Sequence, residues 1–206
     1  SQTSTYRRNP TLVETPRMDT TNSAVRAEAP VGAGTGLPAT INRIAAALRH
    51  AGAAGDRASL RRLQPNDPSS PAYWRFLDAY VEDAGFLPAG GERRHDVEVC
   101  WAAILAAIAQ LAELHRPGRA LGDALAAADF AELRLVRLLR AREHALLENV
   151  RLTARFLAAK GEYVDCTDFA RLVLSSGGRN EETVRRDIAR AFYASKNNKQ
   201  AKREDS

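Results

Sequence analysis

Cysteine is nearly absent from this 206-residue chain, which carries only Cys100 and Cys166. The two thiols lie far apart in the sequence, and each is close to apolar or aromatic residues. This spacing does not predict a disulfide framework. Lone thiols of this kind are typical of small core side chains in a reducing compartment, so a cytoplasmic location is expected.

Long apolar runs are missing too. The longest, from Val97 to Leu114, is rich in alanine and is interrupted by Glu98, Gln110 and Glu113. It is too weakly apolar for a membrane span and predicts a buried helix, so no membrane partner is expected. The N-terminus shows no basic region followed by an apolar block, and a secretory signal is not expected either.

Residue patterns that would support catalysis are also lacking. The histidines share no metal-ligand spacing with each other or with a cysteine; they are His50, His95, His115 and His144. No glycine-rich loop leads into a helix with the lysine and Ser/Thr of a phosphate-binding loop. We therefore expect a non-catalytic protein without a metal or a cofactor.

Lysine is scarce, and three of the four lysines lie near the C-terminus, at Lys196, Lys199 and Lys202. The net charge of +5 is modest, but the middle of the chain owes its positive charge almost wholly to arginine. Arginine binds phosphate through a planar bidentate fork and stacks on planar groups, which lysine does not. The placement of the arginines is therefore the main functional signal.

Helical periodicity covers most of the chain, and no segment alternates with period two for long enough to predict a strand. The prediction is an all-α protein of two small helical bundles, in residues 39–128 and 129–195. Residues 1–38 are predicted to be a disordered arm or linker, with Thr40 as the N-cap of the first helix. Residues 196–206 are predicted to form a short polar tail.

One long helix with an arginine-rich face is predicted from Phe130 to Leu157. Its apolar seam consists of Leu135, Leu139, Leu146, Val150, Thr153 and Leu157. Its charged face consists of Arg134, Arg137, Arg140, His144, Glu148, Arg151 and Arg155. One acidic residue against five arginines favours contact with a phosphate backbone. The alternative is a solvated surface that pairs in part with a neighbouring protein.

Three further features belong to this prediction. Arg142 lies near the seam, so we expect it to be partly buried and paired, or to contact another subunit. Two other basic clusters are expected to bind nucleic acid or to dock on neighbouring subunits, with neither alternative favoured. The first consists of Arg57, Arg61 and Arg62 on a short helix, and the second of Arg185, Arg186 and Arg190 on a last helix predicted to end at Ala194.

Several short motifs carry a family resemblance. They are Gly55–Arg62, Leu111–Pro117, Ala120–Gly122, Leu138–Ala141, Gly161–Asp165 and Val184–Tyr193. In this order and spacing they resemble the small subunit of the type I-E CRISPR Cascade complex, the CasB family. The resemblance extends from Ile41 to Ala194.

The resemblance implies a non-catalytic, all-helical subunit, present in head-to-tail copies along the inner belly of an RNA-guided complex. It implies contacts with the backbone and large subunits, with a second copy of the chain, and with guide RNA and target DNA. The basic surface would face the guide–target duplex and the displaced non-target strand. In such complexes base pairing supplies the sequence specificity, while the protein recognises backbone and shape.

Two alternatives from other classes remain open. Asn180–Ile188 is similar to the recognition helix of a DeoR-type helix-turn-helix regulator. However, Ala170 and Thr183, thirteen positions apart, are separated by more than that motif allows. A purely structural helical adaptor would instead require the arginines to pair with acidic protein surfaces.

Overall fold

The computed structural model describes residues 36–64 and 70–204, with side chains as far as residue 201. The helices in this part are α1 (Leu37–Arg49), α2 (Ala54–Arg61), α3 (Pro71–Phe76), α4 (Glu92–Leu111), α5 (Leu121–Ala127), α6 (Glu132–Arg140), α7 (Glu143–Lys160), α8 (Thr167–Leu174) and α9 (Glu181–Glu204). A π-helical turn, Leu77–Glu82, continues α3. The described residues contain no β-strand, and one backbone bridge joins His115 to Val164. The all-α prediction is confirmed.

The first helix begins earlier than predicted. Gly36 precedes its first turn, Pro38 lies within that turn, and Thr40 is buried inside the helix. The prediction of Thr40 as the N-cap is therefore wrong. Proline suits a first turn because its missing N–H would have no helical partner there. The predicted arm comprises residues 1–38, and residues 1–35 of it lie outside the described part of the chain.

Helix α4 lies at the centre of the fold. Trp101–Ala109 is buried throughout, and α4 packs against α1, α2, α7 and α8. A helix that is apolar on all sides requires such enclosure, so the predicted buried helix is confirmed. By length and composition alone, Glu92–Leu114 could cross a membrane, but 61% of its most apolar window is buried inside the fold.

The predicted single helix from Phe130 to Leu157 is wrong, because the chain breaks between α6 and α7. Residues 141–142 are extended, and Glu143 has a φ of 46°, so the helical hydrogen bonds are interrupted. The Arg185 guanidinium, on α9, donates hydrogen bonds to the carbonyls of Leu139 and Ala141. In a continuous helix these carbonyls would accept N–H groups of the next turn. A contact distant in sequence therefore stabilises the break.

Helix α9 continues beyond its predicted end at Ala194, so part of the predicted polar tail is helical. Lys196 pairs with Glu132, and Lys199 pairs with Asp129 at 2.6 Å. These ion pairs attach the later turns of α9 to the first residue of α6 and to the connection that precedes it.

The buried side chains form one hydrophobic cluster that reaches from α1 to α9. Helix α5 packs along α9, and α7 packs along α4. The division into bundles at residues 128 and 129 stays a prediction.

Candidate nucleic-acid interface

Four of the predicted nucleic-acid ligands have exposed side chains that make no ion pair, hydrogen bond or ring contact with the described residues. Among the described residues, Arg62, Arg137, Arg140 and Arg155 are exposed and form no ion pair. Within the part of the chain that the structure describes, no salt bridge would have to break when such a guanidinium binds phosphate. These four residues are therefore the best placed of the predicted nucleic-acid ligands.

The fold brings Arg61 and Arg155 together, although α2 and α7 are far apart in sequence. They line one shallow depression, together with Gln110, Glu113, Leu114, Ala158 and Ala159. The Arg61 Nε donates to the Ala109 carbonyl at 2.9 Å, which orients the side chain and uses one of its five N–H groups. Arg57 is less accessible, because it pairs with Glu113 at 2.5 Å and donates to the Leu48 carbonyl at 3.3 Å.

Arg151 is not on the exposed face, contrary to the sequence prediction. Its side chain is only 7% exposed, and its Nη1 donates to the Gln64 and Glu148 Oε1 atoms, both at 3.0 Å. The buried face of α7 is wider than the seam, because the chain at Gln64 also contacts this helix. The next residue of α7, Leu152, is 57% exposed, so an apolar side chain faces solvent where the sequence predicted an arginine. Arg151 therefore stabilises the fold in this conformation, and a role in binding nucleic acid stays untested.

Arg185 is buried as well, with a side chain 7% exposed. Besides the two carbonyls at the end of α6, it forms an ion pair with Glu181 at 2.8 Å. Arg185 therefore offers no accessible positive charge in this conformation, because these three partners contact its guanidinium, and its predicted role in binding nucleic acid stays untested. These contacts also disfavour the helix-turn-helix alternative, since the first turns of α9 contact the α6–α7 junction.

The other two arginines of the second cluster, Arg186 and Arg190, are exposed but paired along α9. Arg186 pairs with Glu182 at 2.9 Å, and Arg190 pairs with Asp187 at 3.1 Å. These carboxylates reduce the positive field at the surface of α9. The second cluster is therefore a weaker candidate for phosphate binding than Arg61 and Arg155.

Two arginines near the α6–α7 junction differ in their contacts. Arg134 is exposed, and its guanidinium carbon lies 6.0 Å from the centre of the Phe156 ring. Arg142 pairs with Glu181, which confirms the prediction that its charge is paired. Its side chain is 58% exposed, however, so the predicted partial burial is wrong. The extended backbone of the helix break turns Arg142 away from the seam.

A stacked pair was missed in the sequence. The Arg116 guanidinium carbon lies 4.1 Å from the centre of the Tyr163 ring, and both residues are exposed. Arg116 begins the Arg-Pro-Gly segment, which predicts the end of a helix. Because 47 positions separate Arg116 from Tyr163, no local pattern reveals their contact.

A buried histidine helps to position this region. The His115 Nε2 lies 2.7 Å from the Asn42 Oδ1, and the Cys166 N–H donates to Nδ1 at 3.1 Å. These partners require a neutral imidazole with its proton on Nε2. Burial, the larger cause, and the positive charge of Arg49 lower the pKa of His115, whereas Asp165 opposes the shift. Within the described residues, no group of three or more histidine, cysteine or acidic side chains could hold a metal ion.

Comparisons with known proteins agree with the sequence motifs. The family model of the CRISPR-associated protein Cse2 matches residues 56–193. The fold is similar to that of a chain in the crystal structure of E. coli Cascade bound to a PAM-containing dsDNA target with a 32-nt spacer. The two chains are 21% identical with a TM-score of 0.55, and the match covers 77% of this chain and 95% of the other. No curated protein gives a significant match.

The family match covers well over half of the chain and includes the region in which the motifs occur. The chain therefore belongs to the Cse2 family, which is the CasB family of Cascade small subunits that its motifs resemble.

Proposed function

We propose that this protein is a non-catalytic small subunit of an RNA-guided Cascade complex in the cytoplasm. Its basic surface stabilises the guide RNA–target DNA heteroduplex and the displaced strand, and its other surfaces brace the backbone and large subunits and a second copy of the chain. The observation that carries this proposal is the set of exposed arginines that form no ion pair with any described residue, in a chain of the Cse2 family. Specificity comes from base pairing, and the protein contributes contacts to the backbone.

The arrangement of α2 and α7 supports binding of nucleic acid. Arg61 and Arg155 flank one depression, and Arg62 follows Arg61 directly at the end of α2. Guanidinium groups on both sides of a groove can contact successive phosphates of one strand. A single arginine on the surface of one helix could not contact two successive phosphates in this way.

The outer face of α6 supports a bracing role as well. Leu133 is 82% exposed and Val136 is 38% exposed, and they share the i, i+3, i+4, i+7 spacing with Arg137 and Arg140. Large apolar side chains exposed beside arginines are typical of protein interfaces. This face suits an adjoining subunit, with the two arginines at its edge in reach of an acidic side chain or a phosphate.

The test uses a reconstituted guide complex and three sets of arginine-to-glutamine variants. One set changes Arg61, Arg62 and Arg155, one changes Arg137 and Arg140, and the control changes Arg186 and Arg190. Each variant is measured for assembly by size-exclusion chromatography and for retention of target DNA by gel shift at several salt concentrations.

We expect the first set to assemble but to hold DNA less tightly, by up to about fivefold per arginine. That loss should shrink at high salt. The control should retain DNA better, because its arginines already have acidic partners. The second set separates the two roles of α6, since loss of assembly indicates a protein contact and loss of DNA indicates a phosphate contact. Normal DNA retention by every assembled variant would reduce the protein to a scaffold.

A further inference from the structure

The Arg116–Tyr163 pair has the properties of a preformed stacking site. The guanidinium lies over the ring at 4.1 Å, and Tyr163 remains 43% exposed. Within the described residues Arg116 forms no ion pair, so neither its charge nor its outer planar surface is occupied by a carboxylate. Arginine and tyrosine both stack on nucleobases, because each presents a flat, polarisable surface.

The backbone around this pair is held by several hydrogen bonds. The Arg116 N–H donates to the Val164 carbonyl at 2.9 Å, and the Val164 N–H donates to the Leu114 carbonyl at 3.1 Å. The Asp165 carboxylate accepts from the Gly118 N–H at 2.8 Å. These hydrogen bonds hold the loop that contains Arg116 against the loop that contains Tyr163. Little ordering of the backbone would accompany binding, which favours affinity.

The pair adjoins the basic depression described above. Leu114 and Ala159 line the depression, and Arg116 and Tyr163 follow them closely along the two chain segments. Along α7 the rise from Arg155 to Lys160 at the end of the helix is about 8 Å. A strand whose phosphates contact Arg61 and Arg155 therefore has the stacked pair within a short distance of its path.

We propose that Arg116 and Tyr163 form a stacking site for an unpaired base of single-stranded nucleic acid. This inference rests on the proposed function, because the phosphate contacts deliver the strand to the site. A duplex has no unpaired base to offer, so the pair distinguishes single strands from duplexes, which the arginines of the depression do not.

Photo-cross-linking tests the contact directly on the full chain. Single-stranded DNA and single-stranded RNA of the same sequence, each with 5-iodouracil at one position, are irradiated with the protein, and the linked peptide is identified by mass spectrometry. We expect a cross-link at Tyr163 with at least one of the single strands and none with the matching duplex. The strand that reacts identifies the source of the base. A cross-link that is equal with duplex, or absent with both single strands, overturns the proposal.

Binding measurements on two variants provide the quantitative test. Tyr163→Ala should weaken single-strand binding at least about fivefold, leave duplex binding within about twofold, and leave the salt dependence unchanged. Tyr163→Phe keeps the ring and should bind like the parent. Equal losses for single strand and duplex, or equal losses for both variants, would overturn the stacking site.

Two other outcomes separate this inference from the function on which it depends. If the parent chain binds nucleic acid and Tyr163→Ala binds it equally well, only the stacking site is wrong. If Tyr163→Ala instead impairs assembly with Cascade subunits, the pair is a protein contact and the stacking site is again wrong. If the parent chain binds no nucleic acid, the proposed function and the stacking site fail together.

Discussion

At the scale of single residues, His115 joins three parts of the fold through a neutral ring. Its partners are Asn42 on α1 and the Cys166 backbone N–H at the start of α8. Burial lowers the pKa of His115 below its ordinary value near 6.5, because a charged ring loses its hydration inside the protein. A protonated Nδ1 could no longer accept the Cys166 N–H, so protonation costs a hydrogen bond as well.

This lowered pKa predicts a specific loss of stability in mild acid. The unfolded chain binds a proton near pH 6.5, whereas the folded protein binds it only at lower pH. The His115 contribution is therefore complete above pH 6.5 and is lost as the pH falls toward the folded pKa, by at most about 1.4 kcal/mol per pH unit. Urea denaturation of the parent and of His115→Gln at pH 7.5 and 5.5 measures it. Equal pH dependence in the two proteins would contradict the assignment of a neutral buried ring.

Gly122 is a position at which the fold leaves no room for a side chain. A Cβ placed there would lie 2.3 Å from the Ile188 carbonyl oxygen and 2.6 Å from the Phe192 nitrogen, so α5 and α9 are in backbone contact. We expect Gly122→Ala to lower the free energy of unfolding by about 1–3 kcal/mol. Gly55→Ala on α2 is the matched control, because its Cβ meets no atom within 4 Å and alanine favours a helix. If both variants melt like the parent, the contact between α5 and α9 is looser than described.

At the scale of elements, the break between α6 and α7 shows what local sequence does and does not contain. The apolar seam was predictable, and Leu146, Val150 and Leu157 are buried as expected. The break was not predictable, because the Arg185 guanidinium that satisfies the carbonyls ending α6 lies more than 40 positions away, on α9. A sequence pattern records a helix's apolar face but not which distant side chain replaces its hydrogen bonds.

The junction yields a prediction about stability. Arg185→Met would leave two carbonyls of the α6 end without their donor and Glu181 without its buried partner. Removing one member of a buried ion pair costs about 3–5 kcal/mol, and guanidinium chloride denaturation can measure a loss of that size. Arg186→Met is the neighbouring control, and its exposed pair with Glu182 should contribute less than about 1 kcal/mol. Similar losses in the two variants would show that Arg185 does not hold the junction.

Arg142 changes its expected role through the same junction. The sequence predicted that Arg142→Ala would reduce stability or assembly more than DNA contact. Arg142 is exposed, and the Glu181 carboxylate with which it pairs also pairs with the buried Arg185. We therefore expect Arg142→Ala to lower the free energy of unfolding less than Arg185→Met does.

At the scale of the whole molecule, the fold divides the arginines into structural and accessible groups. The charged face that the sequence predicted agrees with the exposure of Arg134, Arg137, Arg140 and Arg155. The burial of Arg151 and Arg185 could not be predicted, because Arg151 reaches Gln64 and Arg185 reaches the α6 end only in the folded chain. The position of Arg61 and Arg155 on one depression has the same origin, since α2 and α7 both pack against α4.

This division predicts how the purified chain responds to salt. Binding to single- and double-stranded nucleic acid should be weak and without sequence preference, because contacts of the accessible cations with phosphate carry no sequence information. The logarithm of affinity should fall linearly with the logarithm of salt concentration, with a slope of about −0.7 for each phosphate neutralised on single strands and about −0.9 on duplex. Filter-binding measurements of affinity between about 50 and 200 mM salt would determine this slope.

Replacing Arg62, Arg137, Arg140 and Arg155 by glutamine should make that slope shallower by up to about 0.7 per residue on single strands. Surface changes of this kind normally alter stability by less than about 0.5 kcal/mol each, so the variant should still fold. Replacing Arg186 and Arg190, which already have acidic partners, should change the slope less. A tight complex with one DNA sequence that resists salt would instead support the regulator hypothesis. Equal slopes for the two variants would mean that internal ion pairing does not decide which arginines meet phosphate.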